Sequence, residues 1–137
     1  FGPDGTPYVT IMNRELRGGG TILALPDDDG DGAADRTVTV VAGLDRPHGI
    51  AWRDGVLYAS DAATLFRLFD DTGDLVADRR ENVVTGMPTE DDHWSRPFAF
   101  DAEGMLLVAI GSSCNVCQEG DKQRATILRF DPRKETV

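Results

Sequence analysis

Short runs of apolar and aromatic residues alternate along this chain with polar turns rich in Gly, Asp and Pro. Val, Ile, Leu, Phe and Tyr dominate the runs, and none of them keeps a 3.6-residue period long enough to predict a helix. The pattern predicts an all-β chain. "RDGVLYAS" from Arg53 and "DAEGMLLVAI" from Asp101 each predict a hairpin in which an Asp/Gly turn feeds an inward-packed strand.

The runs also recur. "LPDDDGDGAADRTVTVVAGL", Leu25 to Leu44, lies over "LFDDTGDLVADRRENVVTGM", Leu68 to Met87, at a constant offset of 43 residues. Asp27, Gly30, Asp31, Asp35, Arg36 and Gly43 meet Asp70, Gly73, Asp74, Asp78, Arg79 and Gly86. After an insertion, "GIAWRDGVLYAS" from Gly49 aligns with "PFAFDAEGMLLVAI" from Pro97, and "TILAL", "TLFRL" and "TILRF" repeat at Thr21, Thr64 and Thr126. A period in the forties, built of short strands, is the size of a propeller blade. The expectation is a single domain over 1–137, holding about three blades of a larger propeller, in units of about 1–52, 53–100 and 101–137. The opening "FGPDGTPYVT" and the closing "ILRFDPRKETV" suggest a fragment of a longer chain.

Composition narrows the partners. With 24 Asp and Glu against 14 Lys and Arg, the net charge is -10, which argues against nucleic acid, since phosphates need a basic face. No apolar run approaches the ~20 residues of a membrane span, and no charged-then-apolar leader opens the sequence. Neither nucleic acid nor a membrane span is therefore expected among its partners.

"RPHGIAWRDGVLYAS", "DDHWSRPFAFDAEGMLLVAIGSSCNVC" and "ATILRFDP" together resemble the sorbosone and pyranose dehydrogenase branch of the soluble glucose dehydrogenase-like quinoproteins. The resemblance implies a six-bladed β-propeller of four-stranded antiparallel blades that uses pyrroloquinoline quinone (PQQ) to oxidise a sugar or sugar-derived aldehyde. It implies calcium as a second cofactor, an electron acceptor such as a cytochrome, and a periplasmic or secreted location. It also implies that later blades carry most cofactor contacts, so this stretch alone would be inactive. Such oxidation needs a base to take the O–H proton while hydride leaves carbon, and imidazole titrates in the right range. By the resemblance, His93 is the general base and Asp92 the carboxylate that orients substrate or tunes the base; a turn histidine capping a loop is the plainer alternative. Arg96 either faces a carboxylate of the cofactor or braces its loop. Trp94 either walls a sugar ring or packs between blades. His48, in "DRPHGIAW", is expected near the matching place one blade earlier, lining the pocket or bonding a neighbouring blade.

Two further motifs carry chemistry. Asp27, Asp29, Asp31, Gly32 and Asp35 reproduce positions 1, 3, 5, 6 and 9 of a calcium loop, but position 12 is Val38 in place of a bidentate Glu. The second copy has Thr72 and Leu75 where the first has Asp29 and Gly32, so only the first is a calcium candidate; a solvated Asp/Gly turn is the alternative. Cys114 and Cys117 are too few for a structural zinc site and lack the βαβ setting of a thioredoxin-like pair. A local disulfide stiffening the loop after "VAIGSS" fits an oxidising compartment, with a reduced pair as the other possibility. Two other functions fit the same repeats: a non-catalytic binding scaffold, and a calcium-dependent lactonase-type hydrolase with carboxylates around a central metal.

Overall fold

The computed structural model describes residues 1–13, 15–90 and 93–134. Ten strands and no helix appear among the described residues. They form three antiparallel sheets. The first holds β1 (Tyr8–Ile11), β2 (Gly20–Ala24) and β3 (Val38–Leu44). The second holds β4 (Ile50–Arg53), β5 (Val56–Ser60), β6 (Leu65–Phe69) and β7 (Arg79–Val84). The third holds β8 (Phe98–Phe100), β9 (Leu106–Ile110) and β10 (Thr126–Phe130). Each sheet is a meander, and the first strands lie side by side, β1 against β4 and β4 against β8. The sheets thus fan out as three consecutive blades of a partial β-propeller. The middle blade has the expected four strands; each outer blade shows three among the described residues.

Both expected hairpins form. Asp54 and Gly55 carry φ of 51° and 77°, the positive values of a type I′ turn, and Arg53 pairs with Val56 across it. In the longer β8–β9 turn the Asp101 carboxylate accepts the N–H groups of Glu103 and Met105, each at 2.9 Å.

Burial explains why the strand patterns differ. Successive side chains of a strand point to opposite faces, so a sheet covered on both faces needs an unbroken apolar run. The middle blade is such a sheet. Leu57, Ala59, Phe66 and Leu68 pack on Ile22, Ala24, Val40 and Leu44 of the first blade. From the other face Tyr58, Leu65, Val83 and Val84 pack on Leu106, Val108 and Ile110 of the third. Strands β2 and β9 bury only alternate residues. Fully buried side chains such as Phe66 and Ile22 each contribute about 1.5–3 kcal/mol of burial energy.

Hydrogen bonding sets the phase of the blades differently from the sequence units. Cuts near 52 and 100 leave most of β4 and all of β8 with the preceding unit, whereas their ladders join them to the blade that follows. A repeat read from sequence has no intrinsic starting point; the ladder supplies one.

Candidate functional site

The strand order divides the connections between two ends of the blades. One end holds segments 45–49, 61–64, 85–90, 93–97 and 111–125. The other holds the turns at 25–37, 54–55, 70–78 and 101–105. His48, His93, Trp94, Arg96 and the cysteines all belong to the first end, and both acidic loops to the second.

At the first end, neighbouring blades are stapled through Ser60. Its hydroxyl, buried at the end of β5, accepts the Gly49 N–H at 2.9 Å and donates to the Arg96 carbonyl at 2.6 Å. Gly49 allows this approach, because a Cβ there would stand 2.7 Å from the Arg96 carbonyl oxygen and 2.6 Å from the Phe98 ring.

The aligned ladders correct one correspondence. Ser60 N bonds Gly49 O as Ala109 N bonds Pro97 O, so Gly49 matches Pro97 and His48 matches Arg96. His48 is therefore three residues out of step with His93, although both lie at the same end. It is exposed and meets Trp94 edge to face, ring centroids 6.4 Å apart at 80°. The structure thus brings His48 and Trp94 together.

His93 is half-buried, with its main chain packed on Gly111, where a Cβ would come within 2.4 Å of the His93 Cβ. Its Nδ1 lies 3.0 Å from the Ser112 carbonyl oxygen. A carbonyl only accepts, so Nδ1 carries the hydrogen and the basic lone pair of the neutral ring is on Nε2. Asp92 lies outside the described residues.

Arg96 departs from the expectation that it faces a cofactor. It is fully buried, and its guanidinium donates to the carbonyls of His93 at 2.8 Å, Ser95 at 2.9 Å and Pro88. Its Nε has no hydrogen-bond partner, and no carboxylate among the described residues forms an ion pair with it. Burial, aided by the nearby Arg46 charge, holds its pKa below the usual arginine value. It is the brace of the loop carrying His93 and Trp94, with three of its five N–H donors committed to backbone carbonyls.

Arg46 is the residue that sequence reasoning missed. Its backbone is left-handed at φ 52°, uncommon for a residue with a side chain. The guanidinium lies 5.2 Å from the Trp94 ring centroid and makes a bidentate pair with Asp45 at 2.9 and 3.3 Å. The "DRPH" string puts a cation beside the singled-out His48, which is the signal that could have found it.

Cys114 and Cys117 form a disulfide. Around it, Ser112 Oγ donates to the Cys114 carbonyl at 2.7 Å, and the Ser113 N–H and hydroxyl donate to Glu119 Oε1 at 2.7 and 3.2 Å.

At the opposite end, single carboxylate oxygens of Asp27, Asp29 and Asp35 lie within 4.8 Å of one another. Asp31 is outside this trio; its carboxylate accepts the Ala33 N–H at 2.8 Å. Asp27 accepts the N–H groups of Gly30, Asp31 and Gly32, and Asp70 accepts those of Gly73, Asp74 and Leu75 in the same pattern. The two loops therefore share one fold, with Leu75 held at φ 70° where the first copy has Gly32. A cavity of about 360 Å³ also opens at this end, between the first two blades, lined by Tyr8, Trp52, Phe69, Asp70 and Leu75.

Residues 1–137 match the family described as "Domain of unknown function (DUF7133)". No curated protein matches the chain. Among solved structures, the chain is similar to the holo form of the pyranose dehydrogenase PQQ domain from Coprinopsis cinerea, at 21% identity and TM-score 0.72, over 93% of this chain and 34% of that one. It is also similar to a Trichoderma reesei carbohydrate-active enzyme of family AA12, at 24% identity and TM-score 0.57, over 84% and 35%. A third is regucalcin, a calcium-binding protein from Agrobacterium tumefaciens, at 22% identity and TM-score 0.58, over 81% and 37%. At these identities the likeness is one of fold, and the chain spans roughly a third of the length of each.

Proposed function

For this chain, which belongs to the DUF7133 family of unknown function, we propose the role of base-bearing blades in a PQQ-dependent dehydrogenase of sugars or sugar-derived aldehydes. The observation that carries the reading is His93. Its Nδ1–H is given to the Ser112 carbonyl, so Nε2 is the atom able to take a proton, at the blade end where His48, Trp94 and Arg46 gather. The similarity in fold to a PQQ domain supports the choice of cofactor.

PQQ is a flat aromatic anion with several carboxylates, and it needs cations and a planar apolar face. Of the described residues at this end, Arg46 supplies a cation, itself paired with Asp45, and Arg96 gives three of its donors to carbonyls. The fit is therefore partial, and we assign the remaining contacts to blades outside this chain. When bound, the quinone supplies the electrophilic carbonyl that takes hydride.

The chain's own residues do the rest. His93 removes the substrate hydroxyl proton at Nε2. Trp94 presents its ring to the apolar face of a sugar, and the exposed His48 offers its imidazole to a hydroxyl. Arg46, fixed by Asp45, holds the indole in place. Asp92 keeps its proposed role of orienting substrate or tuning His93. Calcium at Asp27, Asp29 and Asp35 would act structurally, since that trio lies at the far end of the blades from His93. An electron acceptor such as a cytochrome and a periplasmic or secreted location complete the proposal, the latter supported by the Cys114–Cys117 disulfide.

The test uses the full-length protein with PQQ and calcium, following dye reduction with aldoses and sugar aldehydes. His93→Ala is expected to lower kcat by about 10²- to 10⁴-fold while PQQ still binds. Absence of both PQQ binding and turnover in the wild type would replace this reading with that of a binding scaffold.

A further inference from the structure

We propose that the disulfide-closed segment from Gly111 to Glu119 is a positioning element for His93, with Ser112 setting which imidazole nitrogen is the base. The inference builds on the reading of His93 as general base.

Three observations converge. The backbone comes close because Gly111 has no side chain; a Cβ there would also lie 2.9 Å from the His93 carbonyl oxygen. Position 111 thus has room for the His93 main chain and for little else. Next, two oxygens of Ser112 face Nδ1: the carbonyl at 3.0 Å and Oγ at 3.4 Å. The single hydroxyl hydrogen goes to the Cys114 carbonyl at 2.7 Å, so toward the ring Oγ also can only accept. Both contacts demand Nδ1–H and place the basic lone pair on Nε2. Finally, the segment is tied to itself. The Cys114–Cys117 bond closes it, and Ser113 bonds Glu119 through both its N–H and its hydroxyl. Ser112 is the point at which this tied segment grips the ring.

The cross-link therefore transmits to the base. A dithiol reductant breaks the S–S bond, delivering two electrons and two protons, and leaves two thiols and the oxidised dithiol. Cys117 is exposed, so the bond is within reach. Once the segment is opened, the Cys114 carbonyl no longer holds the Ser112 hydroxyl in place, and the Ser112 carbonyl loses its register with Nδ1.

The decisive measurement is of the ring and does not need turnover. In full-length protein labelled with ¹⁵N-histidine, the His93 signals are identified by their loss in His93→Gln. Wild type at a pH where the ring is neutral is expected to show the Nδ1–H pattern. The Cys114→Ser/Cys117→Ser double variant, and wild type treated with dithiothreitol, are expected to move toward the tautomer mixture of a solvated imidazole. Ser112→Ala is expected to move in the same direction and Ser112→Thr, which keeps the hydroxyl, to restore the wild-type pattern. With PQQ present, the opened protein is expected to lose about 10- to 100-fold in kcat with KM little changed, the scale expected of a misplaced group. An Nε2–H pattern in the wild type overturns the proposal. So does an unchanged Nδ1–H pattern in folded protein with the disulfide open, and Ser112→Ala decides the matter where the double variant does not fold. A tautomer shift without any PQQ-dependent turnover in the wild type would retain the positioning role and remove the dehydrogenase reading instead.

Discussion

Replacing Gly49 by Ala tests whether the site end of the blades is held by close approach between neighbours. The added Cβ would stand 2.6 and 2.8 Å from two carbons of the Phe98 ring and 2.7 Å from the Arg96 carbonyl oxygen, against about 3.5–4.0 Å for comfortable contact. Phe98, half-buried, can turn aside; the carbonyl cannot, because it accepts the Ser60 hydroxyl that also holds the Gly49 N–H. Overpacking of this kind costs about 1–3 kcal/mol, and losing one of the two buried hydrogen bonds adds roughly 0.5–1.5. We therefore expect a destabilisation of about 3 kcal/mol, read as a lowered denaturant midpoint of the full-length protein with unchanged slope. Gly49 has no positive φ, so none of the effect comes from backbone strain. Gly55→Ala is the control: φ there is 77° with nothing within 4 Å of the new methyl, and strain alone costs about 1–2 kcal/mol. If Gly49→Ala proves no more destabilising than Gly55→Ala, the blades are not pressed together at Ser60 and the stapling argument fails.

Other consequences can be measured in the same protein. Arg96→Met leaves three loop carbonyls without their donor, and we expect a loss of about 2–4 kcal/mol together with reduced dye turnover; retention of full activity would remove Arg96 as the brace of His93 and Trp94. Asp61 is buried, and desolvation raises its pKa above the usual carboxylate value despite the Ala63 and Thr64 N–H groups. The folded state therefore favours the protonated form, and its contribution is present below the unfolded pKa and lost as pH rises through the folded one. Asp61→Asn, which keeps the acceptor, is accordingly expected to be more stable than wild type at pH 7 and no more stable at pH 3, read as Tm against pH. In the first acidic loop, Asp29→Thr, the residue present in the second copy, is expected to leave the fold intact and to abolish the calcium-dependent rise in Tm that the converging trio would give wild type.

What the sequence revealed, and what it hid, follows from where each constraint resides. The offset-43 repeat was legible because Asp27 and Asp70 cap the same backbone N–H groups in the same turn, so the same side chains had to recur. Strands and hairpins were legible because two-sided burial in the middle blade demands "VLYAS" without a polar break, apart from Ser60 at its end. For Arg96 the sequence left two roles open because its partners are backbone carbonyls, which no residue letter announces. Arg46 was overlooked because left-handed backbone is expected of Gly, Asn or Asp, and nothing in an arginine discloses it.

The glycines offer a more general signal. Gly20, Gly49 and Gly111 all lie at the site end, none has a positive φ, and each leaves space that another element fills: Pro47, Arg96 with Phe98, and His93. A glycine at a strand end that is not needed for a turn marks where a neighbour's backbone approaches, and in this protein the neighbours are the segments that carry His48, Trp94 and His93. The site is built less by the residues on its loops than by the side chains that the strand ends beneath them omit.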